Sequence, residues 1–207
     1  MRLHVCGRMG RTDIEHGEPH MTSTATTIEI PGYRAGTWKV DTAHSEVGFS
    51  IRHIMISKVK GKFERFDATF VTAEDPLDSS VTASAEVASI TTNEPNRDAH
   101  LRTGDFFEAE THPTIDFVST GVRVEGGDFK VDGDLTIRGI TKRVTIPVQF
   151  LGAAKDPWGN DKAGFSLTTT INRKDYGVNW NKALDNGGFL LSDDVEVTIN
   201  LETQKQK

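Results

Sequence analysis

Trp38-Lys39-Val40-Asp41-Thr42-Ala43-His44-Ser45-Glu46-Val47-Gly48-Phe49-Ser50-Ile51-Arg52-His53 reads as one long β-strand with two faces. Val47, Phe49 and Ile51 alternate with Gly48, Ser50 and Arg52, the period of two that sends successive side chains to opposite sides of a sheet. A strand that is apolar on one side and polar on the other needs a core to cover. Its polar ends, with His44 and His53, fall where such a core would open. No catalytic signature accompanies it, so the stretch points to a β-barrel that holds something.

The same alternation continues down the chain. Val59, Gly61 and Phe63 share one parity, while Phe66, Ala68 and Phe70 share the other. A phase flip of this kind predicts a bulge or bend near Glu64-Arg65. Further runs follow at Val81–Val87, Ile115–Val124, Phe129–Ile137, Val144–Phe150, Phe165–Ile171 and Val195–Leu201, with Arg138-Gly139 as a turn signal. The result is about eight strands with short connections and no room for crossover helices, which implies antiparallel neighbours. One apolar face per strand, with nothing predicted to cover it, predicts closure into an all-β, eight-stranded antiparallel β-barrel. A barrel of eight strands has an interior just wide enough for side chains or one small ligand.

One segment departs from the pattern. Residues 96–103 predict a short helix with Asn96 as N-cap and Gly104 at its end, followed by a loop carrying Phe106 and Phe107. The barrel is assigned to residues 37–203, with 1–36 as a flexible extension and 204–207 as a tail. Met21 opens a second candidate start, so residues 1–20 read either as an upstream extension or as a genuine tail.

Composition narrows the function classes. A chain of 207 residues can bury a sizeable core as one domain. Its net charge of −6 argues against nucleic acid and against strong adsorption to an anionic membrane face. The single cysteine, Cys6, excludes an intramolecular disulfide. Residues 1–20 hold no apolar run of the signal-peptide kind, and no stretch of about 18 apolar residues occurs, so no transmembrane segment and a cytoplasmic location are expected.

Motifs with strong mechanisms are missing: no His-Glu-x-x-His, no Cys-x-x-Cys, no phosphate loop and no Gly-x-Ser-x-Gly. No cofactor and no metal are expected. His44, His53, His100 and His112 stand at no metal-ligand spacing, and strand parity separates His44 from His53. Arg97 and His100 share a face of the short helix and suit an anionic head group, although Arg97 could equally pair with nearby acids. Arg173-Lys174 could clamp phosphate or be solvated loop charge, and Asp185-Asn186-Gly187-Gly188 reads as a hairpin turn or an anion cradle. The eleven phenylalanines fill a solid core or line a dry tunnel; Ala83, Ala85 and Gly133 tilt the reading towards a cavity.

Taken together, several ordered segments resemble the YceI-like polyisoprenoid-binding family. They are Trp38-x-Val40-Asp41-x-x-His44-Ser45-x-Val47-x-Phe49-x-Ile51-x-His53, Val59-x-Gly61-x-Phe63, Arg97-Asp98-x-His100-Leu101, Asp105-Phe106-Phe107, Pro113-x-Ile115-x-Phe117, Gly133-x-Leu135-Thr136-Ile137-x-Gly139-Ile140-Thr141 and Thr170-Ile171-Asn172-Arg173-x-Asp175-Tyr176-Gly177. The resemblance implies an extended, lipocalin-like barrel with an apolar tunnel. Its implied partner is a polyisoprenoid or other long-chain lipid, held for transport, storage or sequestration without catalysis; a homodimer is also an expectation. Phe49, Ile51, Phe63, Phe117, Leu135 and Phe165 are the expected tail-lining residues, and His44, His53, Arg97, His100 and Arg173 the expected head-group residues. The alternatives are a small barrel isomerase or cyclase acting on a lipidic substrate, and a metal-dependent stress protein.

Overall fold

The computed structural model describes residues 30, 32–125, 128–185 and 187–207. The Met21 start, Cys6 and Asn186 of the expected Asp185–Gly188 turn lie outside the described residues. The strands are β1 (Gly36–Val40), β2 (Glu46–His53), β3 (Ser57–Phe63), β4 (Phe66–Thr72), β5 (Ser80–Glu86), β6 (Ile90–Thr91), β7 (Thr114–Glu125), β8 (Asp128–Ile137), β9 (Ile140–Lys155), β10 (Asp161–Asn172) and β11 (Leu191–Lys205). One helix, α1 (Pro95–Leu101), stands between β6 and β7.

These eleven strands make eight staves. β1 and β2 lie end to end along one edge of β11, Trp38 opposite Lys205 and Val47 opposite Ile199. β3 and β4 likewise form the second stave, pairing with β2 and β1. β5 and β6 make the third, against β4 and β3. β7 to β11 follow as an antiparallel meander, and β11 meets the first stave to close the ring. Every stave pairs with a neighbour on both sides, over part or all of its length. β3 meets β6 only at Lys62–Thr91 and Phe63–Ile90, so among the described residues Ser57–Gly61 has no strand on that side. The expected closed, eight-stranded antiparallel barrel is therefore the fold.

The bends occur where the apolar phase changes. β3 and β4 part at Glu64-Arg65, as the flip of parity predicts. In β7, a register shift between Ser119 and Gly121 turns the strand from odd-numbered inward residues to Val122. The opening stretch is not one strand. Asp41 caps a single 3-10 turn over Thr42–His44 by accepting the Ala43 N–H, and this short-range bond breaks the strand. The helix starts at Pro95 and is capped by Glu94, which accepts from the Asn96 and Arg97 N–H groups; Asn96 is not the cap. Within the expected 1–36 extension, Tyr33 Oη donates to the Ala73 carbonyl at 2.9 Å and lies 2.8 Å from Ser79 Oγ. At the other end β11 continues through Lys205, so the expected tail begins inside a strand.

Candidate functional site

The inward faces of the staves surround a cavity of about 680 Å³, inside the 300–1,000 Å³ range typical of ligand pockets. Its wall is almost entirely aliphatic and aromatic. Phe49, Ile51, Phe63, Phe117, Leu135 and Phe165 all stand on it, together with Ala83 and Ala85. The space is shaped by close approach as much as by small residues. A Cβ on Gly133 would overlap the Phe117 ring and one on Gly61 would overlap the Phe49 ring, so each glycine lets a ring lie flat against its neighbouring strand.

The lower end, around the start of β1 and the end of β11, is closed by aromatic packing. Phe70 and Phe165 stack at 4.9 Å with an interplanar angle of 5°, and Phe150 packs against Phe165 at 5.5 Å. Pro76 is buried beside Tyr33, whose bonds to Ala73 and Ser79 strap this end. The burial raises the Tyr33 pKa, so the strap stays neutral.

The upper end is built differently. α1 and the loop after it cover this end: Asn96, Arg97, His100, Leu101, Phe106 and Phe107 line the cavity, and Phe107 meets Phe63 of β3 edge-on at 6.4 Å. His100 meets Phe106 and Trp180 edge-to-face at 5.1 and 5.0 Å, and its Nε2 lies 2.7 Å from Asp105 Oδ2. Arg97 is exposed on one side; on the other, its Nε and Nη2 donate to the Thr92 hydroxyl and carbonyl at 2.7 and 3.1 Å. Arg138 fastens this roof to the barrel by donating to the Gly104 and Gly177 carbonyls. Beneath α1, buried Asp98 accepts from Thr92 and Thr91. Burial raises its pKa, but those bonds outweigh it and leave the carboxyl below its usual range.

Arg173 is the distinctive group. It follows β10 on a short 3-10 turn and is 5% exposed. Its Nε donates to the Ser192 carbonyl and its Nη1 to the Val178 and Trp180 carbonyls, at 2.7–2.9 Å. Nη2 is buried with no hydrogen-bond partner among the described residues; Asp193 stands 3.5 Å away. Burial lowers the Arg173 pKa and Asp193 opposes the shift, but a guanidinium remains a cation at any ordinary pH. Lys174 points away from the cavity, to Asp193 at 2.8 Å, so the two neighbouring cations do not form one clamp.

His53 also lines the upper cavity. His44 does not. It sits on its turn low on the outer face, 3.1 Å from Asp41, in a cluster with Lys162 and Glu202. Asp41, His44 and Glu202 offer three ligand atoms within 4.8 Å of one another. The Lys162 ammonium already lies 2.6 Å from Asp41 and 3.1 Å from Glu202, supplying the positive charge a metal would bring. Lys162 pulls the Asp41 pKa down to about 2, against partial burial and with help from His44.

Over residues 38–203 the sequence matches the YceI-like domain. The chain belongs to the YceI-like family. A UPF0312 protein of Staphylococcus aureus strain MSSA476 is 42% identical over 167 residues, covering 78% of this chain and 94% of its own. Among solved structures, BcnA of Burkholderia cenocepacia superposes with a TM-score of 0.67 at 25% identity, covering 79% of this chain and 98% of its own. A YceI protein of Campylobacter jejuni gives 0.65 at 30%, covering 81% and 97%. A polyisoprenoid-binding domain from Saccharophagus degradans shares the fold at 15% identity, with a TM-score of 0.64 over 84% of this chain and all of its own.

In this YceI-like barrel the structure brings together ten of the eleven residues picked from sequence and leaves out His44. Sequence reading missed Trp180, Tyr176 and Val178 of the roof, and the Arg138 fastening. Trp180 lies in a stretch without strand or helix periodicity, so only its size could have marked it. Among the described residues no helix is long and apolar enough to cross a membrane.

Proposed function

We propose that the chain is a carrier that holds a polyisoprenoid or similar long amphipathic lipid inside the barrel, for transport, storage or sequestration, without chemistry on it. The observation that supports this is the apolar cavity with the buried guanidinium of Arg173 among its lining residues at the upper end. The tail lies along the wall of Phe49, Ile51, Phe63, Phe117, Leu135 and Phe165. Arg173 takes an acidic head group such as phosphate, and His53, Arg97 and His100 frame it. The polyisoprenoid class is suggested by the described ligand of the Saccharophagus domain.

Magnitudes favour a short buried tail. At roughly 30 Å³ per water-sized group, 680 Å³ holds on the order of twenty heavy atoms, or about four isoprene units. Each unit contributes up to about 4 kcal/mol from burial, less the ordering of the chain. Affinity therefore rises with tail length to about twenty carbons and then levels off.

Titration with geranylgeranyl phosphate and geranylgeraniol, read by the fluorescence of Trp180, tests the proposal. Both should bind, the phosphate at least about tenfold more tightly, since a hydrogen bond to a charged group contributes about 1.5–3 kcal/mol. Arg173→Met should bring the phosphate down to the alcohol. A protein that takes up neither, and carries no lipid when purified from its own host, overturns the reading.

The 2.7 Å pair of His100 and Asp105 favours a second reading, a barrel isomerase or cyclase with His100 as acid or base. Recovery of unaltered lipid after incubation supports the carrier. A product that disappears with His100→Ala supports the enzyme.

A further inference from the structure

Two tight hairpins of the barrel each carry two successive residues at positive φ, and those residues are unlike. β8 and β9 are joined by Arg138-Gly139 at φ 50° and 71°. β2 and β3 are joined by a turn in which the Ile56 N–H reaches the His53 carbonyl at 3.1 Å, with Ile54 and Met55 at φ 46° and 61°. Turns of this kind are ordinarily met with Asn-Gly, because a Cβ is crowded at positive φ and a β-branched one most of all. Of the two, Ile54 is half-buried and Met55 is 67% exposed, and the Ile56 that follows them is 82% exposed. Beside them, the Leu190 carbonyl accepts the Ile54 N–H, and the preceding Phe189 is 61% exposed. A positive-φ Met55 that gains little burial, beside an exposed Ile56, marks side chains kept for contact with something else.

The stem of this hairpin identifies the contact. From Arg52 to Lys62 the sequence carries Arg52, Lys58, Lys60 and Lys62 and no acid, in a chain of net charge −6. Register pairs Arg52 with Lys58 and Ser50 with Lys60, on the face opposite the cavity-lining Ile51 and Val59. Glu196 engages Lys58 at 3.0 Å; Arg52, Lys60 and Lys62 form no ion pair among the described residues. An aliphatic tip on a cationic stem suits the head-group layer of an anionic bilayer, the tip entering the acyl boundary and the cations remaining among the phosphates.

We propose that the β2–β3 hairpin is a docking foot for an anionic bilayer, which sets the end of the barrel roofed by α1 against the membrane surface. The proposal goes beyond the carrier reading and stands whether or not the cavity holds a prenyl lipid. The overall negative charge predicts the opposite behaviour, since it averages over a basic hairpin and an acidic remainder.

Flotation of the whole protein with phosphatidylglycerol–phosphatidylcholine vesicles, against phosphatidylcholine alone, is the test. The protein should float with the anionic vesicles only, and release at about 0.5 M salt, where screening acts within a few ångströms. Met55→Ser with Ile56→Ser should lower partition by at least about tenfold, and Lys60→Glu or Lys62→Glu by at least about fivefold each. Ile54→Asn with Met55→Gly should raise the melting temperature while flotation falls; a turn of merely structural importance would gain stability and float unchanged. Uptake of geranylgeranyl phosphate without vesicles, measured on the same variants, should stay at the wild-type level and separates failure of docking from failure of the carrier reading. Absence of wild-type flotation overturns the proposal, as does flotation of the tip variants at the wild-type level. A tip-dependent dimer in sedimentation, without vesicle binding, would assign the hairpin to a second copy instead.

Discussion

The two ends of the barrel are closed by opposite chemistry. The lower end is neutral: Phe70, Phe150 and Phe165 pack on one another, and Tyr33 is strapped through uncharged bonds to Ala73 and Ser79. The upper end holds a buried cation, Arg173, bonded to three carbonyls with one N–H left over, under a roof of His100, Phe106 and Trp180. Between them the wall is almost entirely apolar. On the proposed carrier reading such a cavity has a direction, because only one of its ends offers a cation to a polar head group. For the proposed carrier the difference places selectivity in the ends, while the wall would contribute affinity in proportion to length.

The largest expected effect comes from removing the charged end. Arg173→Ala leaves the Ser192, Val178 and Trp180 carbonyls without their donor in a buried setting. A loss of about 3–5 kcal/mol is expected, since breaking a buried, multiply bonded cation usually has that magnitude. Urea denaturation measures it, and a loss under 1 kcal/mol would mean that the turn over Arg173–Tyr176 does not depend on the guanidinium. The Arg173→Met variant keeps the aliphatic stem and should fall between the two, so binding can be read in a folded protein.

Next in size is opening the neutral end. Phe165→Ala removes both ring contacts of the floor and should destabilise by about 2–3 kcal/mol, below the usual 3–5 for a core phenylalanine because the ring already borders empty space. The tail length at which affinity levels off should lengthen by about one isoprene unit. If the plateau stays put, the floor is not what limits the tail, and the contrast between the ends loses its meaning.

The sequence made the wall legible and the ends much less so. Alternation of apolar residues requires only local backbone geometry, so Phe49, Phe117, Leu135 and Phe165 could be placed by parity alone. The bend at Glu64-Arg65 was readable for the same reason. Arg173 looks like loop charge until the chain folds it under the 178–192 segment, a relation between residues up to nineteen apart that no local period encodes. His44 fails for the opposite reason. Its strand pattern is overridden by one bond from the Asp41 side chain, and the residue turns to the outside. Trp180 and Arg138 belong to irregular segments whose positions depend wholly on tertiary contacts.

A comparable effect sharpens the role of the wall. Gly133→Ala drives a Cβ into the Phe117 ring and against the Val118 carbonyl oxygen, so the ring must move into the cavity and the strands must part slightly; affinity for long tails should fall about tenfold and stability by about 2–3 kcal/mol. Both ends remain as they were, so the preference for phosphate over alcohol should survive. A variant that lost this preference would show that the wall and the charged end are not independent.

The smallest effect concerns the charges low on the barrel, which lie outside it and are paired. Asp41 is held at about 2 by Lys162, well under its unfolded value of 3.8. A depressed carboxylate contributes stability above the unfolded pKa and loses it as the pH falls through the folded one. The contribution should therefore be full at neutral pH and disappear between about pH 4 and pH 2. Asp41→Asn should lower stability at pH 7 by about 1–2 kcal/mol, given about 1.4 kcal/mol per pKa unit and some screening at a partly exposed site. At pH 2 the variant and the wild type should unfold nearly alike, and ligand uptake at pH 7 should be equal in both. An effect on uptake would place the outer cluster in contact with the cavity and erase the distinction between a lower end that is charged only outside and an upper end charged within.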